Sequence, residues 1–175
     1  LPLRTRAIDE AIGAEWPRGT RQLVLLGAGL DARAYRLAEL APVTVFEVDF
    51  PSTQAYKQRA VEGVAPKARA LRYVAIDFLR ESLSERLLAA GYDRAQPAVF
   101  IWEGVTMYLS DAAIEATLTA LAELARPGSL LAVTYQTKGM ALLSRIAGIG
   151  FAAAGEPLAH RIDPADFATL LARHG

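Results

Sequence analysis

The segment LVLLGAGLDARAYRLAELAPVTVFEVD, residues 23–49, decides the fold of this chain. It begins with the apolar run Leu23–Leu26, which is short enough to be a fully buried strand. Gly27 and Gly29 follow this run directly. Glycine allows the backbone to come close to a ligand, and the start of the next helix offers free N–H groups. This order predicts the first strand and ligand-binding turn of an open α/β sheet.

A helix and a second strand complete the unit. The helix is predicted over Ala32–Glu39, and the strand over Thr44–Val48 leads into Asp49, about 20 residues beyond the glycines. A carboxylate at that point can accept hydrogen bonds from both hydroxyls of a ribose, which favours a nucleotide site. Ala32 occupies the place of the third glycine of the dinucleotide fingerprint. A plain strand-to-helix turn therefore remains an alternative at this point.

Composition narrows the class of protein. The 175 residues predict a single domain over residues 1–175, and 53% of them are hydrophobic. Nineteen basic and nineteen acidic side chains give no net charge, which argues against nucleic acid as a main partner. The chain has no cysteine, so it has neither a disulfide framework nor a thiolate metal site, and we expect no metal. We also expect no membrane span and a cytoplasmic location.

Strands and helices alternate along the remaining sequence. Three further strands are predicted, over Leu71–Ile76, Ala98–Trp102 and Leu130–Tyr135. Helices are predicted over residues 1–15, 52–61, 83–90, 110–126 and 163–174. Five strands separated by helices predict a doubly wound parallel sheet. The alanine-rich segment Met140–Ala154 is open to three interpretations, a lid, a substrate wall or a core helix.

Several short blocks, in a consistent order, carry a resemblance to a known family. They are Leu3–Arg6, Leu26–Asp31, Phe46–Pro51, Ile76–Phe78 and Glu103–Leu109. The chain resembles the leucine carboxyl methyltransferase-like family of S-adenosylmethionine-dependent O-methyltransferases, in particular its bacterial and actinobacterial members. The resemblance implies a Rossmann-like methyltransferase fold with S-adenosylmethionine as cofactor. It also implies a small-molecule or peptide acceptor that carries a carboxylate or a hydroxyl group.

The resemblance implies a set of cofactor-binding residues. They are Arg4, Gly27, Ala28, Gly29, Asp31, Glu47, Asp49, Phe50, Asp77, Phe78, Glu103 and Gly104. By this likeness Arg4 binds the carboxylate of the methionine moiety, for which the planar guanidinium is well suited. Glu103 faces the methionine end of the cofactor, where the ammonium or the ribose can pair with it. Arg6, in the same block as Arg4, is predicted to lie on a solvated face instead.

The third predicted strand also leads into an acid. The resemblance implies that Asp77 accepts a hydrogen bond from the exocyclic amine of adenine and that Phe78 forms an apolar wall. The alternative for Asp77 is the N-cap of a following helix. Methyltransferase sheets of this kind continue with two more strands, and the sequence begins inside a family block. We therefore expect the chain to continue, or a partner such as a second copy in a homo-oligomer to cover the sheet edge.

The acceptor is not identified by any motif, and no catalytic residue is predicted. His160 and His174 are the only histidines, and the expected roles are a surface histidine for His160 and a helix-end histidine for His174. A carboxylate acceptor needs no general base, because it is already ionised at neutral pH, whereas an alcohol usually needs one. The scarcity of bases favours a methyl ester as product. An NAD-dependent oxidoreductase and a non-catalytic nucleotide-binding relative remain the alternatives.

Overall fold

The computed structural model describes residues 2–78, 80–137 and 161–174. Its strands are β1 (Gln22–Leu26), β2 (Thr44–Asp49), β3 (Ala70–Ala75), β4 (Val99–Trp102) and β5 (Leu130–Val133). Its α-helices are α1 (Pro2–Gly13), α2 (Arg33–Arg36), α3 (Pro51–Ala60), α4 (Leu83–Ala89), α5 (Asp111–Leu124) and α6 (Pro164–Ala172). Short 3-10 helices span Ala38–Leu40 and Thr106–Tyr108.

The strands form one sheet in the order β3-β2-β1-β4-β5. β1 pairs in parallel with both β2 and β4, and β2 pairs in parallel with β3. The strand order reverses beside β1, between β2 and β4. In open sheets of this kind, ligands bind outside the carboxyl ends of the strands at such a point. The predicted doubly wound parallel sheet is therefore confirmed, and its switch point is the end of β1, where the glycines lie.

Both faces of the central strands are covered. Alternate side chains of β1, Leu23 and Leu25, pack in one cluster with Ile8 and Ile12 of α1. All five residues of β1 are buried, as expected for a strand at the centre of a parallel sheet. Apolar burial of this kind is the main favourable term that holds the helices against the strands.

The chain divides into two compact units. The first consists of Leu1–Trp102 with Leu124–Ala132, and the second of Glu103–Glu123 with Val133–Gly175. The first unit contains the glycine turn and the switch point of the sheet. The prediction of a single domain stays a prediction, and each unit is described by itself below.

The helix predicted over Ala32–Glu39 is wrong in its length. It is interrupted at Leu37, which has extended backbone angles (φ −88°, ψ 111°), and only α2 and a 3-10 turn remain. The reason is a long-range contact, because the carbonyl of Ala34 accepts the N–H groups of Lys67 (2.8 Å) and Ala68 (3.1 Å). An uninterrupted helix would use that carbonyl for the N–H of Ala38.

The fifth strand is shorter than predicted. β5 ends at Val133, two residues before the predicted end at Tyr135. Thr134 uses its hydroxyl and its carbonyl for hydrogen bonds to the segment after Trp102. The other strand and helix ends differ from the predictions by only a few residues, as is usual for boundaries. The segment Met140–Ala154 lies outside the described residues, so its three interpretations stay open.

None of the described helices combines the length and the apolar character that a membrane span requires.

Tyr92 is a buried residue that joins a loop to the end of α5, and its substitution tests this contact. The hydroxyl of Tyr92, a residue that is 4% exposed, donates to the carbonyl of Leu124 at 3.0 Å. Tyr92→Phe leaves this carbonyl without that donor, so we expect the free energy of unfolding to fall by about 1–2 kcal/mol. Urea denaturation measures the change. The matched control is Tyr56→Phe, because Tyr56 is 57% exposed; equal losses in the two variants would contradict this account.

Candidate cofactor site

The glycine turn (Gly27–Asp31) leaves β1 with two residues in the left-handed region. Gly27 has φ 63° and Gly29 has φ 48°, conformations that side chains with a Cβ rarely adopt. Ala28, between them, is buried and donates its N–H to the carbonyl of Val48 at 3.1 Å. The turn therefore stays next to the end of β2 instead of moving directly into a helix.

Asp49 connects the end of β2 with the glycine turn. One carboxylate oxygen, Oδ2, accepts the N–H of Gly29, and the other, Oδ1, accepts the N–H of Phe50 at 2.6 Å. Each carboxylate oxygen has two lone pairs, so both can still accept another donor. The structure thus places the predicted ribose acceptor beside the predicted glycines, with its charge held by two backbone donors.

Asp31 closes the glycine turn by binding the residues after it. Its Oδ1 accepts the N–H of Arg33 at 2.7 Å, and its Oδ2 contacts the guanidinium of Arg33. Arg33 is 1% exposed, and its Nε donates to Oδ1 of Asp9 in α1 at 2.7 Å. A buried guanidinium needs such carboxylate partners. The observed role of Asp31 is to join the turn to α2 and α1, and its cofactor contact stays a prediction.

α1 carries Arg4 and is joined to the region behind the glycine turn. The carboxylate of Asp9 forms ion pairs with the guanidinium groups of both Arg33 and Arg36. Arg4 lies one turn and a half before Asp9 on an exposed part of the helix. Its predicted contact with the methionine carboxylate stays a prediction. Arg6 forms an exposed ion pair with Glu10 at 2.7 Å, as expected for a solvated face.

Glu47 lies inside β2 and is fully buried. Its Oε2 is 2.6 Å from Nζ of Lys57 in α3, and Lys57 is itself 2% exposed. Gln54, one helical turn before Lys57, donates to the carbonyl of Glu47 at 2.6 Å. Glu47 therefore supports the end of β2 from inside the first unit, and its predicted contact with the cofactor stays a prediction.

The charge of Glu47 depends on this environment. Burial raises the pKa of Glu47 to about 7, although the ion pair with Lys57 opposes the shift. The neighbouring carboxylates of Asp31 and Asp49 add to the increase, because like charges disfavour ionisation. Tyr73 is opposite Glu47 in β3, and its hydroxyl lies 2.5 Å from that of Tyr35. Behind the glycine turn, Glu47 and Lys57 are thus buried, and the neighbouring aspartates and tyrosines are partly buried.

Exposed apolar residues lie next to the ends of the first three strands. Leu30 in the glycine turn is 64% exposed, Phe50 after β2 is 50% exposed and Phe78 after β3 is 46% exposed. Large exposed apolar groups of this kind suit a planar, apolar ligand surface such as a nucleobase. Phe50 and Phe78 were expected from the sequence, whereas Leu30 was not.

Asp77 follows β3 and begins a turn that comes before α4. Its N–H donates to Oε2 of Glu81 at 2.9 Å, and its carbonyl accepts the N–H groups of Arg80 and Glu81. The next helix, α4, has Ser82 as its N-cap. The contact of Asp77 with adenine remains a prediction, which its position at a strand end permits.

The segment after Trp102 belongs to the second unit. Gly104 has φ 75°, and its N–H donates to Oγ1 of Thr134 at 2.8 Å. The hydroxyl of Thr106 donates to the carbonyl of Thr134 at 2.7 Å. These bonds hold the predicted site residues Glu103 and Gly104 beside the end of β5. The roles of Glu103 and Gly104 toward a cofactor stay predictions.

His174 has a partner in the second unit. Its Nε2 lies 2.8 Å from Oε2 of Glu115, and Arg173 contacts Oε1 of the same carboxylate at 2.7 Å. These contacts connect the end of α6 with α5. His160 lies outside the described residues. Within the described part of the chain, no group of three or more His, Cys, Asp or Glu side chains could hold a metal ion.

Sequence reasoning missed the residues that support the site. Lys57 and Gln54 were expected only as part of the helix over residues 52–61, and Thr134 as part of a strand. The sequence did contain one signal of such support. Glu47 is an acid in the middle of an apolar strand, and a buried acid needs a partner. The sequence does not say which cation supplies it.

Glu47 makes the stability of the protein depend on pH. An unfolded glutamate titrates near its ordinary value of 4.5, whereas the folded group titrates near 7. Between these values the folded state retains a proton that the unfolded state releases, so the contribution of Glu47 to stability falls as the pH rises from about 4.5 to 7. We expect Glu47→Gln to remove this part of the dependence, so that the variant gains stability relative to wild type over that range.

Thermal unfolding at a series of pH values measures the difference between variant and wild type. Glu62→Gln, which changes an exposed glutamate, is the matched control. A constant difference between Glu47→Gln and wild type from pH 5 to 7.5 would contradict the assignment.

Comparison with known proteins identifies the family. The leucine carboxyl methyltransferase family matches residues 1–122. A proposed S-adenosyl-L-methionine-dependent methyltransferase of Mycobacterium tuberculosis is 42% identical over 142 residues, which cover 78% of this chain and 45% of that protein. A similar protein of Parafrankia is 38% identical over 141 residues, covering 81% of this chain and 45% of its own length. The chain thus spans about half the length of the curated relatives it matches.

A solved structure supports the fold. A DUF574 family protein of Streptomyces avermitilis superposes with a TM-score of 0.73 at 18% identity, covering 96% of this chain and 66% of that one. At this identity the likeness concerns the fold alone. Together with the glycine turn and Asp49, the family match gives the conclusion: the chain belongs to the leucine carboxyl methyltransferase family of S-adenosylmethionine-dependent methyltransferases.

Proposed function

We propose that the protein is an S-adenosylmethionine-dependent O-methyltransferase that binds its cofactor at the glycine turn. The observation that carries the proposal is the contact of the Asp49 carboxylate with the N–H of Gly29. It places a negative charge at the end of β2 directly beside a turn that brings the backbone close to a ligand. Family membership supports the same cofactor.

Different residues of the described chain are suited to bind different parts of this cofactor. Asp49 can accept the ribose hydroxyls, while the exposed rings of Phe50 and Phe78 can contact the adenine. Arg4 can bind the carboxylate of the methionine moiety. Bound S-adenosylmethionine supplies a methyl group on a sulfonium. The work of the protein is then to bind, to orient and to exclude water, which needs few catalytic side chains.

The acceptor is proposed to carry a carboxylate, so that the product is a methyl ester. A carboxylate is ionised at neutral pH and attacks without a general base, whereas an alcohol usually needs one. Of the two histidines, His174 is already within 2.8 Å of Glu115 in the second unit. This arrangement supports a role for His174 in joining α5 and α6 rather than in moving a proton.

An NAD-dependent oxidoreductase is the second candidate. Gly27, Gly29 and Asp49 would serve an NAD site equally well. Ala32 in place of the third glycine and the family match both favour S-adenosylmethionine. A relative that binds the nucleotide without turnover would keep the same site, so binding and turnover are measured separately.

The first test concerns Asp49 and the ribose. Each hydrogen bond from a hydroxyl to a carboxylate is worth about 1.5–3 kcal/mol, so Asp49→Ala should weaken S-adenosylmethionine binding at least tenfold. Calorimetry on the full-length protein measures the affinity. S-Adenosylhomocysteine and its form without the ribose hydroxyls should bind wild type with different affinities but bind Asp49→Ala almost equally.

This comparison separates the ribose contact from the support that Asp49 gives to Gly29. The matched control is Asp93→Ala, because the Asp93 carboxylate also accepts a backbone N–H, that of Ala95 at 2.8 Å. An equal preference for the ribose hydroxyls in wild type and Asp49→Ala would overturn the ribose assignment. Binding of NAD instead of S-adenosylmethionine by wild type would favour the oxidoreductase.

The second test concerns the product. The methylated product of the full-length protein is expected to be hydrolysed by mild alkali, as an ester is, and turnover by His160→Ala is expected to equal that of wild type. Labelled S-adenosylmethionine and a panel of carboxylic and hydroxylated acceptors supply the assay. A methyl ether that resists alkali, or loss of turnover in His160→Ala, would show that the acceptor needs a base.

A further inference from the structure

Lys57 is a buried cation in a place where a cation is costly. Lys57 lies in α3 and is 2% exposed, so its side chain is below the surface of the first unit. Removing an ammonium group from water without partners is strongly unfavourable. Most lysines avoid this cost by keeping the charged group in water. The contacts that compensate Lys57 therefore indicate what it does.

The ammonium of Lys57 has two close partners on different segments. Nζ lies 2.6 Å from Oε2 of Glu47 in β2, and it donates to the carbonyl of Asp31 at 2.5 Å. Asp31 is the last residue of the glycine turn. Lys57 thus joins α3, β2 and the glycine turn through one charged group, which makes shorter and stronger hydrogen bonds than a neutral donor.

The second contact complements the one made by Asp49. Asp49 holds the turn at the N–H of Gly29, and Lys57 holds it at the carbonyl of Asp31. A segment of three residues that is fixed at both ends has few alternative conformations left. Gly29 makes such fixing important, because glycine loses more backbone freedom on ordering than any other residue.

The geometry points to Lys57 as a positioning residue for cofactor binding, which acts by fixing the carbonyl of Asp31 and with it the glycine turn. This inference rests on the proposed binding of S-adenosylmethionine at that turn. Lys57 is 2% exposed, so its effect on the cofactor is exerted through the backbone of the turn. It is therefore not a catalytic residue.

A purely structural role is the competing explanation. In that case Lys57 only neutralises Glu47, and its loss would harm stability through the buried carboxylate that is left without a partner. Breaking a buried ion pair on one side is strongly destabilising, whereas replacing both charges by neutral groups is often harmless. The double variant Glu47→Gln/Lys57→Met therefore removes the charge problem together with the donor to Asp31.

A matched double variant keeps a donor. Glu47→Gln/Lys57→Gln is equally neutral, but its residue 57 has an amide N–H2 group that can donate to the carbonyl of Asp31. Lys67→Met is a surface control, because Lys67 is exposed and donates to the carbonyl of Arg36 at 3.1 Å. The three variants are compared with wild type as full-length proteins.

The measurements are the melting temperature, the S-adenosylmethionine affinity by calorimetry and, with an acceptor, KM and kcat. We expect Glu47→Gln/Lys57→Met to keep a cooperative thermal unfolding transition. We also expect it to bind S-adenosylmethionine about tenfold more weakly, because it lacks the one hydrogen bond that the charged Lys57 donates to the turn. The KM for the acceptor should stay unchanged. Glu47→Gln/Lys57→Gln should recover a measurable part of the affinity, and Lys67→Met should bind as wild type does.

Each other result has a definite meaning. If Glu47→Gln/Lys57→Met folds and binds S-adenosylmethionine as wild type does, Lys57 only neutralises Glu47 and the inference is overturned. If the two double variants bind equally weakly, the donor at residue 57 is irrelevant and the inference is overturned as well. Should Glu47→Gln/Lys57→Met be unfolded at the assay temperature, its affinity is measured at a lower temperature at which it is folded, and wild-type affinity there would also overturn the inference. Failure of wild type to bind would instead refute the proposed function.

Discussion

The hydrogen bond between the Asp49 carboxylate and the N–H of Gly29 is the contact on which the site depends. It joins the ends of the two strands that meet at the switch point of the sheet, and it holds a flexible glycine next to a negative charge. Parallel pairing of β1 and β2 brings the two strand ends together. The register of that pairing therefore determines whether the glycine turn and the acid can meet at all.

Behind this contact lies a set of paired charged side chains, of which Arg33, Glu47 and Lys57 are buried. Arg33 lies between Asp9 and Asp31, and Lys57 lies between Glu47 and the carbonyl of Asp31. Such pairs contribute little net stability, because desolvation offsets most of their attraction. The pairs instead restrict the conformations of the segments that they join, since each charged group accepts only a few arrangements of its partners. The glycine turn is thereby joined to α1, α2, β2 and α3.

The second unit has a comparable arrangement of its own. Thr134, directly after β5, accepts the N–H of Gly104 and the hydroxyl of Thr106. The segment that begins at Glu103 is thus held by neutral hydrogen bonds, whereas the glycine turn is held by charged ones. In both units a positive-φ glycine is fixed by a side chain from a distant part of the sequence, which compensates for the freedom that glycine brings.

The sequence by itself determined the strand–glycine–helix–strand unit, the alternation of strands and helices, and the place of Asp49 at the end of β2. These features depend on local patterns, namely apolar runs of strand length, positions that require glycine, and an acid at a fixed distance. The short sequence blocks that carry the family resemblance are also local, because each consists of a few consecutive residues. The starts of α3 and α6 were also readable, because proline is favourable in the first turn of a helix.

Only the tertiary structure decided what supports the site. The interruption of the helix at Leu37 depends on the backbone of residues 67 and 68, more than 25 residues away. The partner of Glu47 is Lys57, and nothing in the spacing distinguishes this lysine from the other basic residues near it. Contacts of this kind arise when the sheet places distant segments side by side. Local sequence carries the conformations that each segment prefers, and the tertiary structure selects which of their polar groups meet.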